Sequence, residues 1–347
     1  MSSQPSRKIL ITGGAGFIGS HLAESLIAAG DVVVAIDDLS TGTEANVAHL
    51  PADRFTLRRA SVVDGIAALQ TERFDEIYHL AAGVGVDLVL ERPLEIIEGS
   101  LRNASAVLEA ARRWGQSGRP CAVLMASSSE VYGKSRTVPF REDDDVVYGP
   151  TTMTRWSYAY AKGMDEFVGL SYFVRHRLPV VLTRFFNTVG PRQAGTWGMV
   201  LPRFVQAALR HEPLRVFGDG RQQRCFCDAR DIVRVLPVLA RSSRCHGVVF
   251  NVGSNRLITI NDLAEAVIRV LGSRSRIERI PYGEAYRPGF EDVAVRQPDL
   301  KRLKTATGFE PTISLEQTIR DLAESIRTSE LQRQTAPATS TPGGRLN

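Results

Sequence analysis

No apolar run in this 347-residue sequence is long enough to span a membrane, and the opening MSSQPSRK lacks the apolar core of a signal peptide. A cytoplasmic chain with no membrane partner is the expectation. Cysteine is sparse: Cys121, Cys225, Cys227 and Cys245 show neither zinc-ligand spacing nor a disulfide framework. That fits a reducing compartment and leaves no metal site to expect. Cys225 and Cys227 flank Phe226 as alternate positions of a strand, which reads as packing. Lysine is scarce too, at five of the 43 Lys and Arg residues. The positive residues are scattered and the net charge is only +5, which argues against a nucleic-acid surface. Guanidinium forks suit phosphates and carboxylates, although a GC-rich coding sequence produces the same skew. What remains, at 43% hydrophobic and 23% charged residues, is the composition of a globular protein with a sizeable core.

The first fifty residues hold a complete local pattern. Lys8 to Thr12 is a short apolar strand, followed at once by glycines at 13, 16 and 19. A helix is expected from Ser20 to Ala29, and a second apolar strand, Val32 to Ile36, ends in Asp37-Asp38. The glycines permit a tight turn, close approach of backbone to a pyrophosphate, and close helix-to-strand packing, while the helix start offers free N–H donors. Asp37 stands where a carboxylate accepts hydrogen bonds from an adenosine ribose. It would repel a 2′-phosphate, so NAD is favoured over NADP.

The alternation continues with strands at Arg54 to Arg59 and Glu76 to Leu80, the small residues Ala81-Ala82-Gly83, a long helix from Ile96 to Trp114, and a strand from Ala122 to Ala126. Repeated βα units predict an α/β fold, a Rossmann-type doubly wound parallel sheet whose ligands lie beyond the carboxyl ends of the strands. His79, inside a strand, reads as a core histidine with a satisfied ring. The stretch around which the chain is organised runs from Ser127 to Lys162. It carries three serines (127 to 129), Glu130, and Tyr158 four residues before Lys162, so that both side chains share one helical face. An ammonium beside a phenol lowers the phenol pKa, which makes Tyr158 a candidate general base near neutral pH.

Together the glycine loop, Ser128-Ser129-Glu130-Val131-Tyr132-Gly133 and Tyr158-x-x-x-Lys162 resemble the extended short-chain dehydrogenase/reductase family that acts on nucleotide sugars. The likeness spans about residues 7 to 327. It implies NAD contacts at Gly13, Gly16, Phe17, Ile18, Gly19 and Asp37, at Val63 and Asp64 near the adenine, at Leu80, Ala81 and Ala82, and at Tyr158 and Lys162. It implies that Tyr158 is the base, that Lys162 holds both the tyrosine and the nicotinamide ribose, and that Ser128 bonds the sugar 4-hydroxyl. One helix departs from the family pattern, with Ser100 and Asn103-Ala104 where an Asn and a Gly-Thr are usual.

Val180 to Thr183 reads as a last core strand, and Gly190-Pro191 breaks regular structure soon after. A dinucleotide-binding domain is therefore expected over 1–183 and a smaller α/β substrate domain over 184–330, with a possible crossing back to the first. A polar, disordered tail is expected over 331–347. Helices from Leu201 to Arg210 and from Thr259 to Leu271 belong to the second domain. The resemblance places Asn187, Arg192, Arg224, Tyr286 and Arg287 on a UDP-sugar. It also implies a homodimer through the helices at Ile96–Trp114 and Tyr158–His176.

The reaction depends on less famous residues. Relatives all oxidise the sugar at C4, and they differ in the step after that oxidation. Glu130 stands two before Tyr132, where 4-epimerases carry a small or hydroxyl residue. A carboxylate there serves a dehydratase as the C5 base, or a decarboxylase in which the 4-keto acid loses carbon dioxide. Ser128-Ser129-Glu130 resembles the Thr-Ser-Glu of UDP-xylose synthases and of the decarboxylase domain of the aminoarabinose lipid A pathway. Arg155-Trp156-Ser157-Tyr158, Arg224-Cys225-Phe226, and Gly289 to Val293 followed by Arg296 resemble further segments of that domain. The resemblance makes Arg296 the acid that protonates C5. A guanidinium pKa above ~12 makes that chemistry unusual, so charge stabilisation with a relayed water proton is the alternative role. Ser129 and Arg155 are candidates to seat the substrate carboxylate. The expected function is NAD-dependent decarboxylation of UDP-glucuronate to UDP-xylose or a released UDP-4-keto-pentose. A nucleotide-sugar 4,6-dehydratase or 4-epimerase is the alternative. A non-catalytic NAD-sensing scaffold is disfavoured, because Tyr158 and Lys162 are both kept.

Overall fold

The computed structural model describes residues 6–83, 86–195, 199–285 and 293–335. The chain opens with β1 (Lys8–Thr12), α1 (Phe17–Ala28), β2 (Val32–Asp37), β3 (Phe55–Arg59), α2 (Val62–Ala68) and β4 (Glu76–His79). A short α3 (Val86–Glu91) leads into α4 (Pro93–Trp114), then β5 (Ala122–Ser128), α5 (Ser157–His176) and β6 (Val180–Phe185). Next come β7 (Thr188–Val189), α6 (Val200–Leu209), β8 (Leu214–Phe217), β9 (Gln223–Cys225) and β10 (Cys227–Asp228). Helix α7 (Ala229–Arg241) and β11 (Val248–Val252) follow, then β12 (Leu257–Thr259), α8 (Ile260–Leu271), β13 (Ile277–Ile280) and α9 (Tyr282–Ala285). The described chain ends with β14 (Val295–Arg296), α10 (Lys301–Thr307) and α11 (Leu315–Thr335).

Seven strands form one parallel sheet in the order β11-β6-β5-β4-β1-β2-β3. Strands covered by helices on both faces need unbroken apolar runs, and β1 supplies one: Ile9, Leu10 and Ile11 are fully buried. One face packs against α1 and α7 through Leu22, Leu26, Ile232 and Leu236. The other packs against α2 and α4 through Ile66, Val107, Leu108 and Ala111. A separate apolar core joins α6, α8 and α11 through Leu201, Phe204, Leu263, Val267, Ile319 and Leu322.

Two expectations need correction. β6 is not the last core strand, because β11 pairs parallel with it, Val248 opposite Val181 through Val252 opposite Phe185. The chain thus leaves the sheet, builds part of the cap, and returns, and α7 goes back with it. Helix α11 extends to Thr335, so residues 331–335 are helical where a polar tail is expected; residues 336–347 lie outside the described residues. The four cysteines are buried thiols, as packing residues should be.

Candidate active site

The carboxyl ends of β1, β4 and β5 open into a cavity of about 580 Å³ that runs from the glycine loop to the cap. Gly13, Gly16, Phe17, Ile18 and Gly19 line one end with Asp37. Here glycine is required. Gly13 has φ +73°, and a Cβ on it would lie 2.8 Å from Ala81 N. At Gly19 a Cβ would meet Gly13 O at 2.1 Å, whereas at Gly16 it would meet only Gly13 O, at 3.2 Å. The loop is therefore packed beneath and open above. Helix α1 starts at that opening without a side-chain cap, so its N–H groups face the space where a pyrophosphate would sit. Asp37 accepts from the N–H groups of Ala15 (2.9 Å) and Leu39 (2.8 Å). Burial pushes its carboxyl up, against those donors. Leu80, Ala81 and Ala82 complete this wall. A dinucleotide fits these residues.

Val63 and Asp64 do not line the cavity; Ser61 and Val62 do. Asp64 lies in the first turn of α2, where its N–H donates to Ser61 Oγ at 3.1 Å and the Ser61 hydroxyl donates to its carboxylate at 2.7 Å. Ser61 and Asp64 thus pair at the start of α2. His79 is as expected: a buried core residue paired with Thr12 Oγ1 at 2.7 Å.

The middle of the cavity holds Ser128, Ser129, Glu130, Arg155, Tyr158 and Lys162. β5 delivers the serines, and Ser128 Oγ accepts from the Glu130 N–H at 3.2 Å, starting a tight turn over Ser129–Tyr132. That turn aims Glu130 inward, where two cations meet it. Arg155 Nη2 lies 2.8 Å from Oε2, and Arg296 Nη1 lies 2.7 Å from Oε1. Burial alone would raise the Glu130 carboxyl. The Arg296 and Arg155 guanidiniums outweigh it and hold the group well below the usual carboxylate range.

Arg155 is set by its neighbours. It precedes Trp156, a fully buried ring packed so close to Gly149 that a Cβ there would lie 2.0 Å from Trp156 Nε1. Arg296 arrives from far along the chain on β14, which pairs with β9 so that Arg296 lies beside Arg224. The residues just after Arg296 are pinned as well. Phe140 N–H donates to Gln297 O at 2.8 Å and Asp299 N–H donates to Phe140 O at 2.8 Å. Buried Asn251, on β11, accepts from the Tyr132 hydroxyl (2.7 Å) and donates to Phe140 O (2.9 Å) and Asp299 O (3.2 Å). One carboxamide thus clasps the Glu130 turn to the Arg296 segment.

Tyr158 corrects the simple expectation for a phenol beside an ammonium. Burial raises its pKa more than Lys162 and the Ser128 hydroxyl lower it, and the Glu130 and Asp165 carboxylates add to the rise. For Lys162 burial acts downward, but Asp165 and the other anionic neighbours leave it above the ordinary lysine value.

The cap end brings Asn187, Arg192 and Arg224 into the same cavity. Asn187 Nδ2 donates to Cys225 O at 3.0 Å, and Arg224 Nη1 donates to Gln223 O and Val293 O, both at 2.8 Å. Arg192 reaches down to α1, donating to Ser20 Oγ at 3.3 Å and pairing with Glu24 at 2.5 Å. Tyr286 and Arg287 lie outside the described residues. Sequence reasoning missed Arg203, Arg215, Phe217, Gln222 and Tyr282, which also line this end. Their signal was weak, since each is an ordinary residue of a helix, strand or turn until the fold brings them together.

The sequence profile of a family described as GDP-mannose 4,6 dehydratase matches residues 10–322. The chain belongs to that family. It is 37% identical over 326 residues to the UDP-N-acetyl-alpha-D-glucosaminuronate decarboxylase of Bacillus cytotoxicus, covering 93% of this chain and 99% of that one. It is 33% identical over 321 residues to UDP-glucuronic acid decarboxylase 1 of Arabidopsis thaliana, covering 92% of this chain and 70% of that one. Among solved structures it is similar to the UDP-glucuronic acid 4-epimerase of Bacillus cereus in complex with UDP-glucuronic acid and NAD. That likeness has a TM-score of 0.80 and 25% identity, over 93% of this chain and 99% of the other. Among the described residues no helix is long and apolar enough to cross a membrane.

Proposed function

We propose that the protein is an NAD-dependent decarboxylase of UDP-glucuronate or its 2-acetamido counterpart. The observation that carries this reading is the Glu130 carboxylate held between Arg155 and Arg296, in the cavity that Tyr158 and Lys162 also line. Glycine loop, α1 start and Asp37 would hold the dinucleotide, which supplies an acceptor for hydride from the sugar C4 and can return it. Tyr158, as phenolate, takes the C4 hydroxyl proton while Ser128 bonds that oxygen. The C5–C6 bond of the resulting 4-keto acid then breaks, its electron pair flowing into the C4 carbonyl as carbon dioxide leaves. Arg155 and Arg296 receive the carboxylate and stabilise the enolate. A proton reaches C5 from the Arg296 side, from the guanidinium or from a water bonded to it. Asn187, Arg192 and Arg224 grip the diphosphate and uridine, with Tyr286 and Arg287 expected beside them.

A neutral or 6-hydroxymethyl sugar would give Arg155 and Arg296 no anion to receive, which disfavours the dehydratase and simple epimerase alternatives. The Bacillus cytotoxicus relative favours testing the 2-acetamido substrate beside the 2-hydroxy one. Incubation of each with NAD, with the product mass then measured, separates the reactions. Loss of carbon dioxide supports the reading; an isomer of unchanged mass points to epimerisation, and loss of water from a nucleotide hexose to dehydration. No turnover of any nucleotide sugar would favour a non-catalytic NAD-binding role.

We also infer a two-domain organisation, 1–183 and 184–330 with the β11 crossing, a cytoplasmic setting suited to four free thiols, and a homodimer. The dimer reading rests on an apolar stripe of Tyr160, Met164, Phe167 and Val174 on α5, beside Leu94 and Ile97 on α4, all exposed.

A further inference from the structure

Three residues after the catalytic lysine, α5 carries a second buried acid. Asp165 is 2% exposed and Lys162 3%. Lys162 Nζ donates to Ala126 O at 3.0 Å and to Asp165 Oδ2 at 3.2 Å. The same Oδ2 accepts from Ser100 Oγ, on α4, at 2.6 Å. The other oxygen, Oδ1, is buried without a hydrogen-bond partner. A buried carboxylate therefore stands against the very ammonium whose charge should favour the Tyr158 phenolate. Ser100 is also one of the positions at which this chain departs from the family pattern, so hydroxyl and acid read as one unit.

On α5, Tyr158, Glu166 and Asp165 all act on Lys162. From β4, His79 faces the pair, and burial lowers its imidazole to about 4, leaving it neutral near neutral pH. From the turn after β5, Glu130 has Arg155 and Arg296. Glu166 has Arg184 on β6, through contacts of 2.9 and 2.7 Å, and the Ser127 hydroxyl at 2.5 Å. Glu130 and Glu166 thus have arginines of their own. Among the described residues, the ion-pair partner of Asp165 is Lys162.

We propose that Asp165, oriented by Ser100, is a positioning residue that anchors Lys162 and offsets its charge, and so sets the pH range in which Tyr158 works as a base. Removing a negative charge from beside the pair favours phenolate. Any group that draws Lys162 away from Asp165 and toward the sugar or ribose hydroxyls would strengthen the base at the moment of reaction. The proposal rests on the reading of Tyr158 as the base of C4 oxidation, but its primary test needs no substrate.

Ultraviolet difference titration of the NAD-loaded protein, each variant against the same variant carrying Tyr158→Phe, reads the phenolate directly. Asp165→Asn keeps the shape and a partner for Ser100. The Tyr158 midpoint is expected to fall by about one pH unit, as for loss of a like charge a few ångströms away. Asp165→Ser, a second neutral side chain, should move it the same way. Ser100→Ala disturbs the packing but keeps the carboxylate, and should move it by less than half as much. The acid limb of nicotinamide reduction should follow the titration. An unchanged midpoint in the neutral variants, or a shift in Ser100→Ala as large as in Asp165→Asn, overturns the proposal. A wild-type protein inert toward nucleotide uronates would instead count against the decarboxylase reading, and the titration would still decide this one.

Discussion

In the proposed reaction, Glu130 is the residue on which the outcome after C4 oxidation turns. Burial opposes its charge, but the Arg296 and Arg155 guanidiniums hold its carboxyl below the usual carboxylate range and favour the ionised form. In that proposed reaction it holds Arg155 and Arg296 in place until a substrate carboxylate competes for them. Glu130→Gln keeps the shape and removes the charge, so C4 oxidation should persist while carbon dioxide release slows by about tenfold to a hundredfold, the scale of a lost charge-assisted pair. Stopped-flow absorbance of reduced nicotinamide against carbon dioxide release checks this; equal rates in variant and wild type would remove Glu130 from the mechanism. The glycines, Asp37, Tyr158 and Lys162 were legible because each belongs to a local pattern whose spacing has a physical reason. Arg296 was legible only by resemblance, since nothing local ties it to a glutamate so far away along the chain. The raised pKa of Tyr158 was not legible at all, because burial is a property of the fold and the Lys162 spacing says nothing of Asp165's grip. The hydrogen bonds between Ser61 and Asp64 are legible in part, since a serine three residues before an acid marks a helix start.

Among the elements, β11 ties the Glu130 turn to the segment after Arg296. The sequence shows the parallel sheet through its repeated βα units, but β11 follows the cap and carries no local sign that it returns to β6. Asn251 on that strand is the clasp between the Tyr132 turn and Asp299. Asn251→Leu leaves buried donors and acceptors unpaired, at about 1–3 kcal/mol for each such group. It should lower the unfolding midpoint and slow carbon dioxide release more than nicotinamide reduction. An equal loss of both rates would show that the clasp serves stability alone.

Across the whole molecule, the cap is tied to the sheet domain partly through Glu24 on α1, which meets Arg192, His21 and His49. Burial alone would raise this carboxyl, but hydrogen bonds from those partners lower it from 4.5 to about 2. The stabilisation is complete above about pH 4.5 and is lost as pH falls toward 2. With its partial exposure discounted, it amounts to about 1–2 kcal/mol. Glu24→Gln should therefore flatten the stability profile between those pH values in denaturant titrations; an unchanged slope would contradict the linkage. Phe167, 69% exposed, becomes buried in the inferred dimer, so Phe167→Glu should give monomers by sedimentation, whereas a wild-type protein that is already monomeric would refute the dimer.

In the proposed reaction C4 oxidation and carbon dioxide loss are separate steps, the second served by arginines held on Glu130. A single turnover of Arg296→Ala on UDP-glucuronate, or on the 2-acetamido substrate if the wild type prefers it, tests this most directly. Reduced nicotinamide should form at near the wild-type rate, and carbon dioxide release should slow by about a hundredfold or more. Release at the wild-type rate, or loss of both steps together, would rule out Arg296 as the group that serves the second step alone.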